Sequence, residues 1–498
     1  MPALLHSIAA AYGDETAMVY QDDAGRETSI SFAGLEQRSA ELARGLVARG
    51  VGKGTRVGFI YGNSPTFAVL FAAITRVGAI AIPISTLIKS NELVRVLRQS
   101  DVAGLVVQRN LLGKDYVGRM VDALPDLANA PGPELRLEDV PYLRWIVSDG
   151  EALPSSVRSW DWLEGGAQDI SEGLLAVIEA EVYPTDQVME IYTSGSMAMP
   201  KGVRHNQGPL LSRARYIHSM QPLKRGDEQA VLMPMFWIGG LIMYFMPNLL
   251  AGVRTRCADR TLSDSRFAMG SVPAKGEVMA PPEGWPVWAL GMTETIGPYS
   301  YGDELRVPGY PLCPPLDHFA EGFEVRVADQ QGNPMPEGER GEIQVRGYAL
   351  TPGLHKLERE GYFTADGFYH TGDMGIRQGE RILFVGRDGD MIKTASANVS
   401  PAEVEMELQD LEGVHTAYVL GIPDEERGQL VVAAVVPRDG AVLEAEALQA
   451  ELRDRLSSFK VPRAIVFISR EEIPMLHSNK VARRQLAQML AERLGRAA

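Results

Sequence analysis

The run "IYTSGSMAMPKG", Ile191 to Gly202, packs Thr193, Ser194, Gly195, Ser196 and Lys201 into one short stretch behind an apolar segment. Small residues let backbone N–H groups turn inward toward an anion, hydroxyls add donors, and the lysine adds a mobile positive charge. These features describe a phosphate-grasping loop. It is placed between a strand, "VMEIY", and a helix beginning near Pro209, whose Leu210, Leu211, Ala214 and Ile217 recur at helical spacing. Lys201 precedes its glycine instead of following it, which sets the run apart from the usual nucleotide loop. Taken alone, such a stretch could equally be a polar surface turn. "GVGKGT", Gly50 to Thr55, looks closer to the usual motif but leads into a strand, and reads as a turn.

Around this loop, strand-like runs ("RVGFIY", "GLVVQ", "YLRWIVS", "VMEIYTS", "EQAVLMP") alternate with helical patterns from Gln37 through the middle of the chain. The alternation predicts an α/β fold with largely parallel sheets. The most apolar stretch, "FAVLFAAITRVGAIAIPI", is interrupted by Arg76, Gly78 and Pro83, and a membrane span would need about 20 residues without such breaks. It reads as a buried helix running into a buried strand. After Gly297, "GFEVRVADQQGNPMPEGERGEIQVRGY" has short strands separated by Gly, Asn and Pro turns, as in a β-rich subdomain. From about Asp390 a smaller α+β unit follows. Ser400 is placed there as a helix cap with Glu403 three residues on, then come strands at "TAYVLGIP" and "LVVAAVVP" and a helix at "EALQAELRDRLSSF".

The totals bound the function. A chain of 498 residues exceeds one ordinary core. A net charge of −15 argues against a broad nucleic-acid surface. Two cysteines, Cys257 and Cys313, build no disulfide framework and fit a reducing cytoplasm. The start "MPALLHSIAAAYGDET" has no basic leader, so no secretory signal is expected.

The opening run resembles the signature loop of the acyl-activating, adenylate-forming enzymes, the superfamily of acyl-CoA synthetases, peptide-synthetase adenylation domains and firefly luciferase. Four further signatures stand in that family's order: "LGMTET", "YHTGDMG", "VGRDGDMIK" and "IPMLHSNKVARRQL". The resemblance implies a large N-terminal domain of α/β subdomains with a β-rich subdomain (residues 1–388) and a small mobile α+β C-terminal domain (residues 389–498). It makes Thr193, Ser194, Gly195, Ser196, Lys201, Met292 and Thr293 contacts to ATP, and Glu294 the carboxylate holding Mg2+, as suits a hard dication bridging phosphates. Asp373 and Arg387 become ribose contacts. Lys480 becomes the catalytic lysine, an ammonium brought to the α-phosphate by the closing small domain. Gly389 is either the pivot of that domain or a plain turn glycine, and Lys393 would reach the site after the swing.

Implied too is a two-step reaction: a carboxylic acid and ATP give acyl-adenylate and pyrophosphate, and coenzyme A then takes the acyl group to leave AMP. Trp237, in "MPMFWIGGL" with Gly239, resembles the gate of fatty-acyl-CoA synthetases, although a packing tryptophan fits as well; a hydrophobic or fatty acid is the expected substrate. The chain departs from the pattern at Met197, Ala198, Ser396 and Asn479. The segment from residue 238 to 293 is also shorter than the family's by a few dozen residues and shows no counterpart of its glycine-rich adenine loop. Two alternatives therefore stay open: transfer of the acyl group to a carrier-protein thiol, or a non-catalytic family member impaired by the shortened segment.

Overall fold

The computed structural model describes residues 1–22, 24–88, 90–193, 200–231, 233–258, 286–305, 307–309, 313–387, 392–394, 397–399, 401–424, 427–456, 460–475 and 481–496. The chain forms two compact units. One comprises Met1–Glu283, Gly291–Pro298 and Tyr348–Gly361; the other comprises Gly284–Leu290, Tyr299–Gly347 and Tyr362–Ala498.

The first unit opens with helices α1 (Pro2–Tyr12) and α2 (Phe32–Ala48), then strand β1 (Arg56–Ile60). Ser64 accepts the N–H of Phe67 and Pro65 takes the first helical position, which starts α3 (Pro65–Arg76). Strands β2 (Ile80–Pro83), β3 (Gly104–Val107) and β4 (Trp145–Ser148) follow, and Arg56 is the one residue of β1–β4 that is not buried. Such unbroken burial belongs to parallel strands covered on both faces. After β5 (Arg158–Ser159) and helix α4 (Glu172–Ala180) come β6 (Gln187–Thr193), β7 (Lys201–Asn206) and helix α5 (Gln207–Met220). The sheet order is β7-β6-β2-β1-β3-β4-β5, parallel except for the β6/β7 pair.

One sequence expectation is corrected here. The run Ile191–Gly202 leads not into a helix but into β7, which pairs antiparallel with β6; α5 then starts at Gln207, directly on the strand. "EQAVLMP" contributes the short strand Glu228–Ala230, which joins a separate four-stranded sheet with Arg254–Ala258, Thr16–Gln21 and Glu27–Ser31.

The apolar helix α3 ends in a buried arginine. Arg76, 1% exposed, has its Nε 2.5 Å from Glu179 of α4, its Nη1 2.8 Å from the Ser39 hydroxyl and its Nη2 2.8 Å from Glu36, both on α2. His6 of α1 lies 2.9 Å from Glu179 and 3.4 Å from Glu36. One guanidinium with its partners thus ties four helices together, which is how a charge is kept inside a core. No helix among the described residues is long and apolar enough to cross a membrane.

The second unit contains an antiparallel sheet of β8 (Phe323–Ala328), β9 (Arg340–Gly347), β10 (Tyr369–Gln378) and β11 (Arg381–Arg387), with Pro315–Leu316 on the β11 edge. Its C-terminal part holds β12 (Ile392–Thr394), β13 (Ala397–Val399), helix α6 (Pro401–Gln409), β14 (Val414–Asp424), β15 (Gly428–Pro437), helix α7 (Ala445–Arg455), β16 (Ala464–Phe467) and helix α8 (Arg483–Arg493). Side chains alternate across β15. Val431, Ala433 and Val435 enter a core with Leu408 of α6 and Leu452 of α7, while Val432, Ala434 and Val436 enter another with Leu486 and Leu490 of α8. The expected cap Ser400 lies outside the described residues.

Candidate active site

The β6/β7 hairpin sets Thr193 and Lys201 directly opposite each other, both half-buried, at the two ends of the predicted loop. Ser194, Gly195 and Ser196, with Met197 and Ala198, lie outside the described residues. Below this mouth the hairpin rests on buried charge. Glu190 of β6 is fully buried and accepts from Arg56 of β1 at 3.1 Å, from Gln187 at 2.7 Å and from the Tyr192 hydroxyl at 3.2 Å. Burial, and then the charge of Glu190, pushes the Tyr192 phenol well above its ordinary value, so it stays a neutral donor. Its ring lies on the backbone of Gly202: a Cβ there would come within 2.7 Å of the ring, so only glycine lets the strands close.

The second predicted piece is also in the first unit. Met292 ends the strand Trp288–Met292, and Thr293 and Glu294 open a 3-10 turn, with Glu294 buried at 9% exposure. Thr295 Oγ1 lies 2.7 Å from the Gly297 carbonyl. Ile296, a β-branched residue, is held at φ 50°, ψ 55°, in the left-handed region where such side chains are strained. The carbonyl of Ile296 receives Nε of the fully buried Arg213 at 3.4 Å. The carbonyl of Glu294 receives the N–H of Thr351 at 2.7 Å.

A carboxylate on a braced turn fits Mg2+, which keeps waters and phosphate oxygens in its shell and needs few protein ligands. No cluster of three or more His, Cys, Asp or Glu suited to a metal occurs among the described residues.

Trp237 is half-buried at the N-terminus of a short helix, Ile238–Gly240, that continues into a π-helical turn, Leu241–Phe245. Its ring meets Phe236 edge-on, centroids 5.6 Å apart. Asn63, just beyond β1, pins the preceding loop by donating to the Met233 carbonyl at 3.0 Å and accepting the Met235 N–H at 2.7 Å. Gly239 faces the Met233 side chain closely enough that a Cβ would overlap it. Residues 259–285, nearly half of the shortened segment, lie outside the described residues.

In the second unit Asp373 is buried on β10, 5% exposed, and its backbone is in register with that of Arg387 of β11, the other expected ribose contact. A register shift follows at Met374/Gly375. The approach to Asp373 is fixed by Glu342 of β9, which accepts the Gly372 N–H at 2.9 Å and lies 2.7 Å from His370 Nδ1. Thr371 holds the Ile343 carbonyl at 2.5 Å and the Asp373 N–H at 3.0 Å. Lys393 occupies the middle of β12. Gly389, Ser396, Asn479 and Lys480 lie outside the described residues.

Sequence reasoning missed Glu190, Arg56, Asn63, Glu342 and Thr351. Only Asn63 carries a local signal, standing beside the Ser64-Pro65 helix start.

The chain matches the AMP-binding enzyme family over residues 5–273, more than half its length, and the AMP-binding enzyme C-terminal domain over residues 403–480. Among similar proteins, the indoleacetate–CoA ligase of Aromatoleum aromaticum is 27% identical over 508 residues, covering 94% of each chain. The sulfoacetate–CoA ligase of Cupriavidus necator is 26% identical over 530 residues, covering 97% of each. The ATP-bound crystal structure of MatB from Rhodopseudomonas palustris superposes with a TM-score of 0.75 at 21% identity over 99% of both chains, a likeness of fold. A family match over more than half of its residues shows that the chain belongs to the AMP-binding enzyme family.

Proposed function

We propose that this acid–CoA ligase, which works with ATP, Mg2+ and coenzyme A, activates a hydrophobic carboxylic acid. In the first step a carboxylate oxygen bonds to the α-phosphorus of ATP and the bond to pyrophosphate breaks. In the second the thiol of coenzyme A bonds to the acyl carbon, loses its proton, and AMP departs. Thr193 and Lys201, with Ser194, Gly195 and Ser196 between them, hold phosphate oxygens. Glu294 would hold Mg2+, which when bound would supply neutralising charge to the triphosphate. Asp373 and Arg387 take the ribose, and Lys480 stabilises charge on the α-phosphate when residues 389–498 close about Gly389. Lys393 serves the thiol step.

The observation that carries this assignment is the hairpin itself. It fixes a hydroxyl and an ammonium at the ends of one small-residue loop, while Thr351 links the same hairpin to the turn of Glu294. The aromatic pair at Trp237, set on an Asn63-pinned loop, supports an apolar acid. The relatives' named acids, indoleacetate and sulfoacetate, differ widely in polarity, so the substrate has to be tested directly.

The experiment is acid-dependent exchange of labelled pyrophosphate into ATP with acetate, hexanoate, dodecanoate and benzoate, followed by product analysis with coenzyme A. Exchange is expected to favour the apolar acids, and Trp237→Gly to broaden the range. A preference for acetate would overturn the substrate class. Exchange without acyl-CoA formation would favour a carrier-protein thiol as acceptor, and no exchange with any acid a non-catalytic role.

A further inference from the structure

We propose that Thr351 and His355 are positioning residues that lock the Glu294 turn to the phosphate hairpin, so that two halves of the ATP site move as one body. The inference rests on the acid-activating function above but assigns residues that function does not use. The segment Tyr348–Gly361 returns to the first unit from a chain that has just built β8 and β9 in the second. There it lies along β7, with an antiparallel bridge between Val203 and Leu354. Thr351, 2% exposed, gives its N–H to Glu294 and sets its hydroxyl 2.8 Å from the Arg204 carbonyl of β7. A single residue therefore spans the metal turn and the strand that begins at Lys201.

His355 makes the second fastening. Its N–H donates to the Gly202 carbonyl at 2.8 Å. Its ring stands between two carboxylates and a guanidinium: Nε2 is 3.2 Å from Asp101, and Nδ1 is 3.4 Å from Arg56 Nη2 and 3.6 Å from Glu190. Asp101 is held in turn by Lys356 at 2.6 Å. Through its backbone N–H and its ring, His355 thereby joins β7 to Arg56 of β1 and the buried Glu190 of β6. A bare surface strap would need none of this. The left-handed Ile296 beside Glu294 is a conformation that persists only where its surroundings over-determine it, and Thr351 is part of that support.

The test compares Thr351→Val, which removes the hydroxyl and keeps shape and N–H, with Thr351→Ser, which restores the hydroxyl, and His355→Gln as an independent second variant. Equilibrium binding of MgATP is measured without acid, alongside exchange kinetics. Losing one buried hydrogen bond corresponds to roughly a fivefold change. Thr351→Val and His355→Gln are expected to weaken MgATP binding by about that factor or more, with the KM of the acid unchanged and Thr351→Ser close to the parent. Unaltered MgATP binding in Thr351→Val, an equal rise in the KM of the acid, or a Ser variant as poor as Val would each overturn the proposal. If the parent binds MgATP but exchanges with no acid, the acid-activating function falls while the binding comparison still decides the fastening. A parent that fails to bind MgATP at all would sink both.

Discussion

Acidification should destabilise this protein through one side chain on the β6/β7 hairpin. His205 of β7 is 1% exposed, and neither of its ring nitrogens has a hydrogen-bond partner among the described residues. Burial lowers its pKa from 6.5 to about 3, so it is neutral in the folded chain. The unfolded chain, by contrast, takes up a proton as pH falls through the unperturbed value. Between those two values the unfolded state binds more protons, so stability must drop as pH decreases. The linkage amounts to about 1.4 kcal/mol lost between roughly pH 7.5 and 5.5, and about 2 kcal/mol by roughly pH 5. His205→Met keeps an apolar group of similar size and has nothing to titrate. Urea unfolding of parent and variant, followed by tryptophan fluorescence across this pH range, isolates the effect, because every other titrating group is common to both. The gap between the two stabilities should shift in the variant's favour by about 2 kcal/mol from roughly pH 7.5 to 5. Parallel pH profiles would refute a neutral, unpartnered imidazole at this position.

Three further outcomes are expected. Lys480→Ala should abolish pyrophosphate exchange while leaving MgATP binding largely intact, and a fully active variant would remove the lysine from the chemistry. Asp373→Ala should raise the Kd of ATP by about tenfold or more, as for loss of a charged hydrogen-bond acceptor, while inorganic pyrophosphate binding stays the same; equal losses for both ligands would place the aspartate away from the sugar. Arg76→Met should cost about 3–5 kcal/mol in urea unfolding by stranding Glu179 in the core, and a change under about 1 kcal/mol would mean that water reaches the carboxylates.

Patterns with a short period were legible in the sequence. The apolar helix α3, the buried strand after it and the strand β15 all follow from local spacing, whereas the two cores that β15 serves do not show in its continuous apolar run. What stayed hidden depends on distant partners. Arg76 read as an interruption of an apolar run, yet it is buried, because Glu36 and Glu179 arrive from two other helices. Glu190 drew no notice within "VMEIY", and its balance comes from Arg56, 134 residues earlier in the chain. β7 was missed because "KGVRHN" has little apolar alternation; its strand form comes from pairing with β6 on one side and Leu354 on the other. Thr351 sits in "LTPGLH", where nothing local shows that its two polar groups bridge separate segments.

The order in which the chain contributes to its first unit also has a consequence for synthesis. Gly291–Pro298 and Tyr348–Gly361 complete that unit although Tyr299–Gly347 lies between them in the other. On a ribosome, the hairpin emerges long before its fastener, so Arg204 and Asp101 wait for Thr351 and His355 while β8 and β9 of the other unit are made. A gene fragment stopping at residue 283 would lack both. Nascent chains should therefore gain protease resistance in this unit only after residue 361 has cleared the exit tunnel.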